Sequence, residues 1–380
     1  MSFDTRLFGD KLRRLSEQAG FDVAGLAAAT GISADRLASL RDSSIEPSGD
    51  EILILADVFK IDFKFFVSGD AQTPFGQMEI LYRKFGDRIG AADRRAVAEL
   101  LYLCDTEQDI QSDFGDSNHS RLTISKRGNH YKTHGEDAAR DVRKHLALDD
   151  ATPIGDVFAV ARRLGIHVFR RRLRETGVSG LTIRHPHAGP CVLVNFAEDP
   201  YRQRFTLAHE LAHVFLDAEE DVVVSFARWD RSDLREIRAN SFASHLLVPR
   251  GVLQRLQGRP PSDADFVRLA HRLEVNAETL AFSMADADLI STADRDRLRR
   301  IRLPRADKKD TEVGPGLTDR QRARKQEMIE IGLSQFYVEL CFDAYAAEKV
   351  SRGRLAEALL VDEGSLTEIA SLFGRKLLHA

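Results

Sequence analysis

The sequence predicts an α+β protein that is mostly helical, with helical segments at both ends and a small sheet in its central part. Two observations carry this prediction. Apolar residues recur at the three-to-four-residue spacing of helices over most of the 380 residues. Three short apolar runs between residues 166 and 194 are typical of strands instead. Helices packed on one face of such a sheet form an α+β arrangement.

The composition is that of an ordinary soluble protein, with 43% hydrophobic and 30% charged residues. A net charge of −4 argues against a molecule built as a whole to bind polyanions. The 3 cysteines are scattered and odd in number, which excludes a disulfide framework. The N-terminus lacks the features of a signal peptide, and no apolar run is long enough to cross a bilayer. We therefore expect a cytoplasmic protein without a membrane partner.

Residues 1–70 are predicted to form an all-α domain of short helices. Leu26 and Ala27 lie in one apolar helical stretch, which Gly31 ends with a tight turn. Ser33 follows as a residue suited to the N-cap of the next helix. A helix, a turn with glycine and a second helix form the helix-turn-helix arrangement.

This stretch resembles the Xre/Cro-like repressor domain family. The matching residues are Leu26-Ala27-x-x-x-x-Gly31-Ile32-Ser33 and Pro47-Ser48. The resemblance implies that the helix beginning near Ser33 enters the major groove of double-stranded DNA. The candidate DNA contacts are Ser33, Arg36, Ser39 and Arg41. Acidic residues outnumber basic ones through residue 70, and DNA affinity depends on phosphate neutralisation. A domain that docks another protein is therefore an open alternative.

Residues 71–135 are predicted to be a helical connector and a linker, because helical spacing ends in a polar stretch at residues 113–134. The connector could pair with a second copy, so a homodimer is an open alternative. Residues 291–380 are predicted to be a basic linker and a helical C-terminal domain. Basic residues dominate from residue 295 to residue 325, and apolar residues at helical spacing follow them.

The strongest chemical signal is a His-Glu-x-x-His motif inside an apolar helical stretch. With 3.6 residues per turn, His209 and His213 lie on one face of the helix, their Cβ atoms about 6 Å apart. Two imidazoles at that separation can bind one metal ion. Glu210 lies one step round the helix, where its carboxylate could accept a proton from a water without being a ligand.

A catalytic zinc site needs a third protein ligand and an open fourth position. A second apolar helix, which Pro249 ends, carries Glu236 near its start. Asn240 lies one turn further on the same face and is predicted to hydrogen-bond the Glu236 carboxylate from outside the ligand set. The alternative is a buried helix whose two histidines lie four residues apart without binding a metal.

Together these stretches resemble the ImmA/IrrE family of metallopeptidases. The matching motifs are Arg202-Gln203-Arg204-Phe205-Thr206-Leu207-Ala208-His209-Glu210-Leu211-Ala212-His213, Glu236-x-x-Ala239-Asn240 and Leu246-Leu247-Val248-Pro249. The resemblance implies a zincin-like domain, which we place at residues 136–290. It implies Zn²⁺ held by His209, His213 and Glu236, with Glu210 as the general base.

The resemblance also implies an activity. The chain would be a zinc metalloendopeptidase that cleaves a helix-turn-helix repressor and so regulates transcription in a stress or mobile-element response. A second hypothesis is a transcription regulator or antitoxin-like protein whose zinc domain senses a ligand or a partner without cleaving it.

Overall fold

The computed structural model describes residues 3–59, 63–67, 91–115, 122, 124, 130–173, 177–226, 233–256, 261–314 and 316–377. Its contacts divide the chain into two units, Met1–Thr106 with Leu173–Thr176, and Glu107–Arg172 with Gly177–Ala380. Residues 71–90 of the predicted connector, and most of the predicted linker between residues 116 and 129, lie outside the described residues.

The first unit is helical in its described part. The helices are α1 (Thr5–Ala19), α2 (Val23–Thr30), α3 (Ala34–Arg41), α4 (Gly49–Phe59), α5 (Lys64–Val67) and α6 (Ala91–Asp113), of which the residues up to Thr106 belong to this unit. The side chains of Asp4, Asp22 and Ser33 accept hydrogen bonds from backbone N–H groups in the first turns of α1, α2 and α3. These caps satisfy donors that a helix leaves unpaired at its start.

The turn between α2 and α3 has the features that the sequence predicts. Gly31 has a φ of 72°, in the left-handed region that glycine adopts without steric cost. Ser33 is the N-cap of α3. Leu26 and Leu37, one from each helix, are fully buried in the core of the unit. The glycine turn and the buried leucines fix the angle at which α3 leaves α2.

The second unit contains a four-stranded sheet. Its strands are β1 (His167–Arg171), β2 (Val178–His185), β3 (Gly189–Asn195) and β4 (Val222–Phe226), in the order β1-β3-β2-β4. β1 pairs with β3 in parallel, whereas β2 is antiparallel to both β3 and β4. The sequence predicted three of these strands and missed β4, which lies at an edge and depends on its pairing with the distant β2.

Helices make up most of the remainder of the second unit. They are α7 (Tyr131–His145), α8 (Val157–Arg163), α9 (Pro200–Leu216), α10 (Leu234–Leu247), α11 (Arg250–Gln254), α12 (Asp263–Leu273), α13 (Ala277–Asp286), α14 (Thr292–Leu298), α15 (Asp319–Glu330), α16 (Gln335–Ala346), α17 (Arg352–Ala358) and α18 (Leu366–Leu372). The chain is therefore mostly helical with one small sheet, which confirms the predicted α+β class. Within the described residues, every helix is too short or too polar to cross a membrane.

α9 and α10 lie in a large hydrophobic core of the second unit. Leu207 and Leu211 of α9 and Phe242 and Leu246 of α10 are fully buried in one cluster. α7 packs very closely on α10, because Gly135 faces the backbone of α10 at Arg238. α10 is thereby held between α7 and α9.

Part of the predicted basic linker packs against other segments of the second unit instead of extending into solvent. We call residues 305–314 the strap. Lys308 Nζ in the strap lies 2.9 Å from the carboxylate of Asp199, which precedes α9. Glu312 is only 5% exposed and forms ion pairs with Arg162 and Arg170. The strap packs because its charged side chains meet opposite charges on α8, β1 and the start of α9.

The segment beyond the strap also packs on the sheet. The rings of Phe169 in β1 and Tyr337 in α16 lie 5.3 Å apart with their planes nearly perpendicular. Arg172 forms an ion pair with Glu330 at the end of α15. The helices beyond the strap therefore contact the β1 end of the sheet through an aromatic pair and an ion pair.

Candidate metal centre

The His-Glu-x-x-His motif lies in the second half of α9. Asp199 caps this helix by accepting hydrogen bonds from the backbone N–H groups of Tyr201 and Arg202, and Pro200 occupies its first turn. Leu207, before the motif, and Leu211, within it, pack into the core. The helix is therefore firmly anchored at its start and along its apolar face, which fixes the direction of the two imidazoles.

The two histidines and Glu236 converge on one point. His209 Nε2 lies 3.1 Å from His213 Nε2 and 3.2 Å from Glu236 Oε2, and His213 Nε2 lies 3.4 Å from Glu236 Oε1. One ligand atom from each residue lies within 4.8 Å of the others. Ligand atoms of a tetrahedral zinc ion, each about 2.1 Å from the metal, lie roughly 3.4 Å apart. The donor set and its spacing therefore fit a zinc ion.

A second layer of polar residues holds the imidazoles. Asn240 Oδ1 lies 3.1 Å from His209 Nδ1. Asn240 thus contacts His209, whereas the sequence predicted a contact with Glu236. When each Nδ1 carries the proton, the Nε2 lone pairs of both histidines point to the common centre.

His213 has a carboxylate partner that sequence reasoning missed. Asp217 Oδ2 lies 2.8 Å from His213 Nδ1, and Arg238 donates to the other oxygen of the same carboxylate. Both Asp217 and Arg238 are buried. Asp217 lies four residues after His213, so the same helical spacing that singled out the motif could have indicated it.

The electrostatics of the centre favour a cation. Burial alone would lower the pKa of His213, but the hydrogen bonds to Asp217 and Glu236 outweigh it and raise that pKa to about 10. Burial would raise the pKa of Glu236, yet hydrogen bonds from His209 and His213 hold it well below its usual range. The carboxylates therefore attract positive charge to the point between the two imidazoles, and a proton or a metal ion can supply it.

Glu210 is fully buried beside the ligand triad. Its Oε2 accepts a hydrogen bond of 2.7 Å from the hydroxyl of Thr182 in β2. Its Oε1 is buried and has no hydrogen-bond partner among the described residues. A Cβ atom at Gly180 would lie 2.5 Å from that oxygen, so the glycine in β2 leaves the room that the carboxylate occupies. An unpartnered buried carboxylate oxygen on the residue that follows His209 fits a group that serves a bound water.

The space at the centre is small. A cavity of about 20 Å³ is lined by residues of α9, α10, β2 and β4 that include Phe205, His209, Glu236 and Phe226. This volume suffices for an ion or a single water, since a water needs at least about 10–15 Å³.

The four candidate DNA contacts lie on or next to α3 of the first unit. Ser33 caps α3, and the Ser39 hydroxyl donates to the carbonyl of Asp35. The Arg36 guanidinium donates to both carboxylate oxygens of Glu51, at 2.7 and 2.9 Å, and this bond lowers the pKa of Glu51 to about 2. Arg41 is partly exposed. A DNA phosphate would therefore compete with Glu51 for Arg36.

The region that contains the sheet, His209, His213 and Glu236 matches a known family of protein domains. Residues 161–284, which contain β1 to β4, α9 and α10, match the peptidase M78 family, described as the IrrE N-terminal-like domain. This part of the chain is thus similar to an IrrE-like metallopeptidase domain.

Two curated relatives share this similarity. The chain is 30% identical over 100 residues to the radiation response metalloprotease IrrE of Deinococcus radiodurans, a match that covers 25% of this chain and 30% of that protein. It is 32% identical over 100 residues to the protein of the same name from Deinococcus deserti, over 25% of this chain and 36% of that protein. The chain therefore spans about a third of the length of the curated relatives it matches.

Proposed function

We propose that the protein is a zinc-dependent metalloendopeptidase of the IrrE type. His209, His213 and Glu236 would hold the metal, Glu210 would be the general base, and Asn240 would orient His209. The observation that carries the proposal is the convergence of three ligand atoms within 4.8 Å beside a buried Glu210 whose Oε1 has no partner among the described residues. Both relatives are named as metalloproteases, which supports the same reaction class.

The residues of the centre have separate tasks in this proposal. A bound zinc ion supplies Lewis acidity toward water and toward a peptide carbonyl. Glu210 accepts the proton of the attacking water on Oε1 and returns it to the amine that leaves. Thr182 holds the other oxygen of Glu210 by its 2.7 Å hydrogen bond and so fixes the orientation of the carboxylate. Asn240 and Asp217 fix the ring orientations of His209 and His213.

The substrate we propose is a helix-turn-helix repressor, whose cleavage would switch on genes in a stress or mobile-element response. The name of the relatives, radiation response metalloprotease, supports a stress response. The first unit, with its glycine turn and α3, would recruit that repressor or bind operator DNA. The pairing of Arg36 with Glu51 favours recruitment, because the most obvious phosphate-binding side chain is already neutralised.

A second candidate function is a regulator whose metal centre senses a partner without cleaving it. The cavity of about 20 Å³ favours this candidate, because its size is that of an ion or a single water. The two functions share the metal and differ in the role of Glu210. Glu210→Gln keeps the ligands and the shape of the side chain but removes the base.

The test begins with metal analysis of the purified protein after zinc is supplied. We expect about one zinc per chain in the wild type, a loss in Glu236→Ala, and no change in Glu278→Ala, which removes an exposed carboxylate from α13. A folded wild-type protein that binds no zinc would contradict both candidate functions.

Cleavage is then tested by co-expression with helix-turn-helix repressors encoded near this gene. We expect the wild type to cleave one of them, and Glu210→Gln to bind zinc normally and leave the repressor intact. A regulatory output that survives Glu210→Gln would reject the peptidase and favour the sensing function.

A further inference from the structure

A second cavity in the second unit lies away from the metal centre and has a volume of about 680 Å³. α8, the strap, α15, α16 and the end of α6 surround it. Its wall includes Arg162, Arg163, Lys325, Phe336 and Gln111. Cavities of about 300–1,000 Å³ are typical of sites for small molecules.

The cations of this wall have unused hydrogen-bond donors. The Arg162 side chain is 10% exposed, and its buried Nε has no hydrogen-bond partner among the described residues. Arg163 is exposed and forms no ion pair with a described residue. Lys325 is 8% exposed, and its ammonium group donates to the neutral amide of Gln335 at 2.7 Å. No carboxylate in the described part of the chain lies within ion-pair distance of Lys325.

The anions of the same wall are already engaged. The Asp156 carboxylate accepts from two backbone N–H groups at the start of α8. Glu312 pairs with Arg162 through one oxygen and with Arg170 through the other. Glu339 accepts from the amide of Gln335. Each carboxylate of the wall thus accepts a hydrogen bond, while Arg162 Nε and the exposed Arg163 keep donors without a partner among the described residues, which favours an anion there.

Two further groups of the cavity wall indicate what else the ligand carries besides its anionic group. The buried Oε1 of Gln111, a residue only 7% exposed, has no hydrogen-bond partner among the residues that the structure describes. A ligand hydroxyl or amino group would satisfy it. The ring of Phe336 lies 5.0 Å from the Arg162 guanidinium and provides a flat apolar surface beside the charged groups.

We propose that this cavity binds a small organic anion with a phosphate or carboxylate group and a hydrogen-bond donor. The anionic group lies against Arg163 and Lys325, and the donor group lies against Gln111. Burial lowers the pKa of Lys325, and a bound anion reverses that effect. Of the residues that line the cavity, Arg162 and Arg163 lie within residues 161–284, which match the peptidase family, and the others lie outside that region.

The experiment is calorimetric titration of the full zinc-loaded chain with AMP, with malate and with inorganic phosphate. AMP and malate distinguish a phosphate ligand from a carboxylate ligand, and we expect one of them to bind more tightly than inorganic phosphate, which offers nothing to Phe336. Arg163→Gln and Lys325→Met should each weaken this binding about tenfold, the effect of losing a charge-assisted hydrogen bond.

Two controls separate this site from other causes of binding. Arg300→Gln removes an exposed arginine of the same unit that lies outside the cavity wall, and it should leave the affinity unchanged. Glu236→Ala should also leave it unchanged, which excludes anion binding to the zinc. Equal affinity in wild type, Arg163→Gln and Lys325→Met would overturn the proposal, as would the absence of binding by all three anions at millimolar concentration.

Discussion

His167 is a buried histidine whose pKa is determined by one contact. The side chain is 3% exposed in β1, and its Nδ1 lies 2.7 Å from the carboxylate of Glu107 in α6. Burial alone would lower the pKa of His167, but the charge and the hydrogen bond of Glu107 raise it to about 9. The proton on His167 is thus bound more tightly in the folded chain than in the unfolded chain.

This raised pKa predicts how the stability of the second unit depends on pH. The stabilisation that the His167 proton contributes to folding is complete below the unfolded pKa of about 6.5. It is lost as the pH rises through 9. Between pH 6 and pH 9.5 the free energy of unfolding should therefore fall by about 3 kcal/mol, the value of some 2.5 pKa units. Urea denaturation at a series of pH values measures this fall in the free energy of unfolding.

Two variants show whether His167 is responsible for this decline. His167→Gln should remove most of it, whereas His187→Gln, at an exposed position that also faces a carboxylate, should retain it. A decline of the same size in His167→Gln would assign it to other groups.

At the scale of elements, the position of Glu236 in the metal centre depends on how closely α7 packs on α10. Gly135 in α7 faces α10, and a Cβ atom there would overlap the carbonyl of Arg238 and lie 2.8 Å from the backbone nitrogen of Phe242. Both contacts are with backbone, so no side chain can rotate to make room. The packing of α7 thereby fixes α10, which carries Glu236 and Arg238.

Gly135→Ala should consequently destabilise the second unit. Alanine favours a helix over glycine by up to about 1 kcal/mol, but overpacking against backbone costs about 1–3 kcal/mol, so the clash prevails. The same displacement of α10 should weaken zinc binding. Thermal unfolding and zinc titration measure the two effects.

Gly155→Ala is the matched control, because a Cβ atom at that position meets nothing within 4 Å. It should leave both stability and zinc affinity unchanged. If Gly135→Ala were as stable as Gly155→Ala, α7 would not be what holds α10 in place.

Local periodicity accounts for the part of the site that the sequence predicted. α9, α10, the turn at Gly31 and the spacing of His209 and His213 follow from patterns within about 15 residues of sequence. Glu236 was found because zinc chemistry requires a third ligand. Thr182, Gly180 and Arg238 were missed, because their roles depend on contacts between elements that no short pattern encodes.

At the scale of the whole chain, the strap is the clearest case in which sequence and structure differ. A basic segment next to glycine and proline is typical of a solvated linker. The structure instead buries Glu312 between Arg162 and Arg170 and pairs Lys308 with Asp199. The sequence shows which charges are present but not their long-range partners, so it cannot distinguish a solvated charge from a paired one.

Metal binding should stabilise the chain locally, because all three proposed ligands come from α9 and α10. A ligand that binds only the folded state stabilises it by about 4 kcal/mol at a thousandfold excess over its dissociation constant. An opening that separates α9 from α10 breaks the site, so zinc should suppress that opening. Amide hydrogen exchange in these helices and in β2, which contacts Glu210, should then slow by up to about a thousandfold.

Hydrogen-exchange mass spectrometry with and without zinc measures this effect segment by segment. Amides of α1 to α4, which contribute no ligand, should exchange at the same rate in both states. Glu236→Ala should remove the protection in α9 and α10, because the two helices then share no complete ligand set. Zinc protection that spread evenly over the chain, or that persisted in Glu236→Ala, would place the metal somewhere other than between His209, His213 and Glu236.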